Sequence, residues 1–196
     1  MRGNLALGTL LAFAGLCASA NAQDSGFGAQ AALGLGQSGD LHVTSGKALP
    51  LAFGIHQDCP LGEYFLVKPR AEAWFFPMGH QLIVASPLSQ QIDTKVRAQM
   101  AGADILYRFG GTGPLAVGGG VYLIRWAVDS TDRVTDGAGN SFVQSGKSSW
   151  YREGLGLIAT CRLSRHMDLE ARWVTSHDGY ENLRTNLALG GLSWRF

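Results

Sequence analysis

The segment WVTSHDGYENLR, residues 173–184, gathers Ser176, His177, Asp178 and Glu181, the residue types from which a hydrolytic nucleophile, base and orienting carboxylate are assembled. Nucleophile and base must reach one another, yet neighbouring residues of an extended chain point to opposite faces. That separates Ser176 from His177; Thr175 has the right spacing to His177 but is not the usual nucleophile. A polar turn is the better reading. Asp129, Asp132 and Asp136 in DSTDRVTDGAGNSFVQSGK could offer oxygens to calcium, but their spacing misses the alternate-acid loop with its closing Glu, and DGAGN is turn chemistry. His42, His56 and His80 stand singly, with no pair at ligand spacing. No catalytic centre, metal site or cofactor is expected.

At the other end of the chain, Arg2 precedes an apolar run from Leu5 to Leu16, and small residues lead to Ala20-Asn21-Ala22. These are the charged, apolar and A-x-A parts of a secretory signal, so residues 1–22 are predicted to be removed and residues 23–196 to form one domain. The run is too short for a membrane helix of about 20 apolar residues. Lipidation at Cys17 is disfavoured by Leu16, where a small residue is expected. The chain carries 16 Lys+Arg and 15 Asp+Glu, and only Arg2 lies in the signal, so the mature charges balance. A neutral chain argues against nucleic acid, whose phosphates need a clustered basic excess.

Across the mature chain the apolar residues recur every second position, never in a sustained helical stripe. In YFLVKPRAEAWFF, Phe65, Val67, Pro69, Ala71, Ala73 and Phe75 oppose Lys68, Arg70 and Glu72. In AGADILYRF, Ala103, Ile105 and Tyr107 oppose Asp104 and Arg108; in WYREGLGLIATCRL, Leu155, Leu157 and Ala159 oppose Arg152, Gly156 and Arg162. MDLEARW sets Leu169, Ala171 and Trp173 against Asp168, Glu170 and Arg172, and the closing strand sets Gly190, Leu192, Trp194 and Phe196 against Arg195. Eight strands follow, joined alternately by tight turns such as CPLGE, GGTG and SRH and by longer loops at Gln37–Leu49, Pro77–Thr94 and Asp129–Ser148.

Phe27, Phe65, Phe109, Trp194 and Phe196 fall at the tight-turn ends of the apolar face, and Phe75, Tyr151 and Trp173 near the loop ends, with aliphatic residues between. Two aromatic belts around an aliphatic band suit a face turned to lipid. The opposite face then lines a lumen. The chain holds 27 glycines, nearly twice the usual roughly 7%, and those at positions 28, 34, 54, 102, 118, 120, 154, 156 and 191 make room there for long charged side chains. Lys68, Arg70, Glu72, Asp104, Arg108, Arg152, Arg162, Asp168, Glu170, Arg172 and Arg195, with Asp58, are predicted to pair inside as a polar plug. Closure pairs the first and last strands, fixing Phe196 against the strand that contains Phe27, because lipid tolerates no open sheet edge. Cys59 and Cys161 would lie four strands apart in that ring, beyond the ~7 Å Cα reach of a disulfide, so both are expected as free thiols.

The signal segment, the eight alternating strands and the terminal LSWRF resemble the small outer-membrane barrels of Gram-negative-type bacteria, the OmpA transmembrane domain, OmpX and OmpW among them. The resemblance implies an eight-stranded antiparallel up-and-down transmembrane β-barrel in the bacterial outer membrane, in contact with outer-membrane lipid and lipopolysaccharide. It implies that Gly190, Leu192, Trp194 and Phe196 form the signal read by the barrel-assembly machinery. It implies a non-enzymatic structural or surface-interaction role through loops whose ligand the sequence does not name; a narrow OmpW-like conduit for small solutes is the alternative. Some barrels of this size deacylate lipid A with Ser and His two apart on one strand face, a spacing that Ser176 and His177 depart from.

Overall fold

The computed structural model describes residues 26–38, 49–177 and 184–196. The expected signal segment, Cys17, His42, Asp178 and Glu181 lie outside them. The described residues form nine antiparallel strands: β1 (Gly26–Ser38), β2 (Leu51–Leu61), β3 (Phe65–Phe75), β4 (Gly79–Ala85), β5 (Leu88–Arg108), β6 (Leu115–Thr135), β7 (Ser141–Arg162), β8 (Met167–His177) and β9 (Arg184–Arg195).

Eight of them close a ring. Each pairs with its neighbour in chain order except that β3 pairs with β5, and β1 pairs with β9 from Gly28↔Arg195 to Ser38↔Thr185. The Phe196 amide donates to the Phe27 carbonyl at 2.8 Å, so the last residue is tied to the first strand as closure requires. The tight turns gather at the end that holds Phe196. Gly62 (φ 75°) turns β2 into β3, and Gly110 and Gly111 (φ 70° and 69°) turn β5 into β6; this left-handed backbone strains any side-chain-bearing residue.

The alternation orients the wall. Leu33, Phe53, Ile105, Val121, Leu155, Leu157 and Leu192 are exposed on the outside, with Phe27, Phe65, Phe109, Trp194 and Phe196 at the tight-turn end and Phe75 and Tyr151 at the loop end; Trp173, expected in the upper belt, is also exposed but lies lower, beside Leu157. Lys68, Arg70, Glu72, Asp104, Asp168, Glu170 and Arg172 are buried within. A sheet with this much contiguous apolar surface on its outer face is solvated by lipid.

One correction concerns the connections. The segments 77–94 and 129–148, expected as loops, hold the ninth strand β4 and long continuations of β5, β6 and β7. At 21, 21 and 22 residues these three strands are about twice the 9–11 that cross a bilayer. They carry a four-stranded sheet, β4-β5-β6-β7, beyond the loop end of the barrel. Backbone ladders hold it, and from Ser141 to Ser149 both faces of β7 are exposed, so no apolar period marks it in sequence. Cys161 is free, and Cys59 lies four strands from it around the ring, on β2 against β7, so these two do not pair.

Candidate functional site

The lumen has two layers of opposite chemistry. In the lower layer Arg70, on β3, is the hub: Nη1 donates to Glu170 Oε1 at 2.6 Å and to Glu72 Oε1 at 3.1 Å, and Nη2 lies 2.6 Å from Asp104 Oδ2. Arg172 Nη2 donates to Glu72 Oε2 at 2.6 Å, and Trp74 Nε1 donates to the same oxygen at 2.7 Å. Gln30 also donates to Glu72 and accepts from Arg70. Lys68 bridges Glu170 (3.8 Å) and Asp58 (3.5 Å), and below it Arg195 Nη2 donates to Asp168 at 3.0 Å. These partners come from β1, β2, β3, β5, β8 and β9, so the network crosses the ring rather than following one strand. Buried charges survive only when paired and hydrogen-bonded in this way.

Three predicted network members sit differently. Arg162 is at the rim, its side chain 38% exposed and 4.0 Å from Asp168. Arg108 lines a cavity of ≈ 20 Å³ at the tight-turn mouth, and Arg152 lies over the Trp150 ring, 5.6 Å from its centroid. The upper layer corrects the expectation of a lumen filled by charge. Trp74, Val96, Met100, Ile124, Trp126, Leu187 and Leu189 form a buried apolar cluster at the loop end, with Trp74 and Trp126 in edge contact at 6.3 Å between centroids. Trp74 and Trp126 are register neighbours of the same residue, Ala98, and Trp126 faces Trp150 across β6 and β7. Trp74 follows Glu72 by two residues and so shares its inward face, a signal present in the sequence beside the charges that alone define the predicted plug.

Tyr122 joins the layers. Its hydroxyl donates to Asp104, and Arg172 lies 6.0 Å from the centre of its ring. The ring fits because Gly120 and Gly156 lack side chains: a Cβ at Gly156 would stand 2.6 Å from Tyr122 Cε2, and one at Gly120 would collide with the Tyr122 hydroxyl and the Asp104 carboxylate. Gly120→Val is expected to expel the hydroxyl from Asp104 and lower stability by about 1–3 kcal/mol, the usual cost of overpacking. Denaturant unfolding of the refolded barrel measures this, and a change below about 0.5 kcal/mol would contradict the packing described.

Chemistry by nucleophile finds no geometry among the described residues. Ser193, which the sequence reading does not single out, is fully buried with Oγ 3.1 Å from His56 Nε2, and Asp58 Oδ1 approaches the same nitrogen at 3.7 Å. A triad needs serine and carboxylate on opposite ring nitrogens, whereas His56 Nδ1 has no partner among the described residues. Ser176 is buried in the lumen and Thr175 points outward. The three acids of the predicted calcium candidate part company. Asp129 pairs with Arg97 at 2.7 Å on the outer face, Asp132 accepts from Gln90 at 2.7 Å on the inner face, and Asp136 caps its own turn through the amides of Ala138 and Asn140 at 3.0 and 2.8 Å. The Asn140 side chain and these amides hold the Asp136 carboxyl below the usual range, and the His80 bond does the same for Asp93.

A closed eight-stranded ring with a lipid-facing apolar wall and a paired ionic interior defines an integral outer-membrane barrel. The model of the outer membrane protein beta-barrel domain matches residues 8–196, and the chain belongs to that family. Among solved structures, Ail, the attachment invasion locus protein of Yersinia pestis, is similar in fold, with a TM-score of 0.53 at 12% identity over 88% of this chain and 97% of Ail. A major outer membrane protein from Thermus thermophilus gives 0.51 at 15% identity over 89% of this chain and all of that one. A comparison with curated protein sequences finds no match.

Proposed function

We propose that this is a non-enzymatic surface barrel, cleaved after Ala22, whose projecting sheet binds an extended segment of another protein along the open edge of β4. The observation that carries the reading is the chemistry of that edge. Among the described residues β4 pairs only with β5, and its sequence GHQLIVA holds no Lys, Arg, Asp or Glu, with Leu82 and Val84 68% and 71% exposed. Edge strands are ordinarily protected by charge, proline or cover, and an unprotected one is a template for strand addition.

The labelled heptapeptide GHQLIVA is the probe. It should bind the refolded barrel, and Leu82→Lys with Val84→Lys should weaken that binding by about ten-fold or more, two charges being enough to guard an edge. Equal binding by both proteins, or none by either, refutes the assignment.

The lumen is read as a plug. What supports this is the set of pairs across the ring, the apolar layer above them, and the small size of two cavities beside the network, ≈ 10 Å³ next to Glu170 and Arg172 and ≈ 20 Å³ at the tight-turn mouth, about the room for one water each. We also read Gly190, Leu192, Trp194 and Phe196 as the assembly signal. Its support is that Leu192, Trp194 and Phe196 face outward in the strand that closes the ring, open to an outside reader before closure.

A further inference from the structure

One place in the lipid-facing wall lacks a rung. The ladder between β2 and β3 runs from Leu51↔Phe75 to His56↔Arg70, skips the next two pairs, and resumes at Cys59↔Val67 in the same register. The skipped pairs are Gln57 with Pro69 and Asp58 with Lys68. Strand alternation tells which backbone groups are left over. The Arg108 amide donates to the Tyr64 carbonyl and the Phe76 amide to the Val96 carbonyl, so even-numbered residues of this stretch address β5 and odd-numbered ones, Pro69 among them, address β2. Likewise the Gly34 amide donates to the Pro50 carbonyl, which turns the odd-numbered residues of β2, Gln57 included, toward β3. Proline has no N–H, so the Gln57 carbonyl meets no donor across the gap.

Beside the gap the wall is hollow. A cavity of ≈ 120 Å³ is lined on its apolar side by Phe27, Ile55, Pro69 and Ala71. Gln57 lines it as well, an amide in the outward row that otherwise reads Leu51, Phe53, Ile55. His56 and Arg70, whose side chains are held in the lumen by Ser193 and Glu170, complete it. Gln57 is the register partner of Phe27, so the hollow lies close to the lower aromatic belt.

Three occupants compete for this space. A lipid acyl chain fills the apolar side and leaves the carbonyl bare, which hydrocarbon penalises. Water serves the carbonyl but gains nothing from the apolar side. A compact molecule with a ring or short chain and one O–H or N–H satisfies both. Its size agrees, since a protein cavity of about 150 Å³ holds benzene. We infer that the gap between β2 and β3 is a binding site, entered from the bilayer, for a phenol-sized apolar molecule that donates one hydrogen bond to the Gln57 carbonyl. The site uses the outward orientation of the wall and is independent of the β4 edge.

The test follows the carbonyl-carbon NMR signal of Gln57 in the refolded full chain, in detergent micelles, as phenol or anisole is added; anisole keeps the ring and has no donor. Phenol should shift the signal along a saturating curve, and anisole should bind about ten-fold or more weakly. Pro69→Ala supplies the missing N–H. It should restore the skipped rungs, seen as slowed amide hydrogen exchange at residues 57 and 69, and weaken phenol binding about ten-fold or more. Ala71→Leu, which fills the hollow and leaves the carbonyl untouched, should weaken it as well. Micelles take up each solute equally whichever variant they hold, so the differences report the site. No saturating response at Gln57, or undiminished phenol binding by folded Pro69→Ala or Ala71→Leu, overturns the site. Equal affinity for phenol and anisole overturns the hydrogen bond and with it the choice of ligand over a lipid chain.

Discussion

Arg70→Met is expected to destabilise the folded barrel by about 3–5 kcal/mol, the cost of breaking a buried ion cluster by removing one partner. The substitution keeps the length of the stem and deletes the group on which Glu170, Asp104 and Glu72 converge. Glu72 retains Arg172 and Trp74, and Asp104 retains Tyr122, so the heaviest loss falls on Glu170, left with Lys68 at 3.8 Å. Adding Glu170→Gln removes that stranded charge. The double variant should therefore be less destabilised than the sum of the singles, with a coupling of about 1–3 kcal/mol. Denaturant unfolding in lipid vesicles, followed by tryptophan fluorescence, gives all three values. A loss below about 1 kcal/mol for Arg70→Met would mean that water already solvates these carboxylates and that the lumen is wet rather than sealed.

The same cluster shows why the barrel is legible in the sequence and its upper interior is not. Charges opposite an apolar face, as at Lys68, Arg70 and Glu72 against Val67, Pro69 and Ala71, mark inside from outside without ambiguity, because a lipid-facing row does not carry them at mid-bilayer. Two residues further on the inward face stands Trp74, where the charges end and only the alternation counted on from Glu72 marks the face. An inward tryptophan and a lipid-facing one have the same hydropathy, and only register separates Trp74, at 1% exposure, from Trp173, at 42%. Ile124, Trp126, Leu187 and Leu189 are hidden in the same way.

The projecting sheet escapes the sequence for a different reason. Binary alternation appears when one face is buried and the other is not; in residues 141–149 neither face is buried, and what remains is the backbone ladder, which every sequence can form.

Leu157→Arg tests the orientation on which every one of these assignments depends, and it is expected to cost about 2–4 kcal/mol in lipid. Leu157 is 62% exposed on the outer wall, opposite Gly119 on β6 and Trp173 on β8. It lies six residues from Tyr151 in the upper belt and six from Leu163 at the lower rim, about 20 Å along the strand in each direction, which places it near mid-bilayer. From there an arginine cannot carry its guanidinium to either interface without distorting the bilayer. Leu163→Arg provides the comparison, since at the rim the same charge should cost only about 0–1 kcal/mol. The gradient between the two sites is the discriminating quantity. If the apolar face were instead packed inward as a protein core, both substitutions would bury a charge and their costs would be similar, whatever the thickness of the surrounding lipid. Equal values at the two positions, measured by reversible unfolding into vesicles, would turn the wall inside out and take the lumen network and the open edge with it.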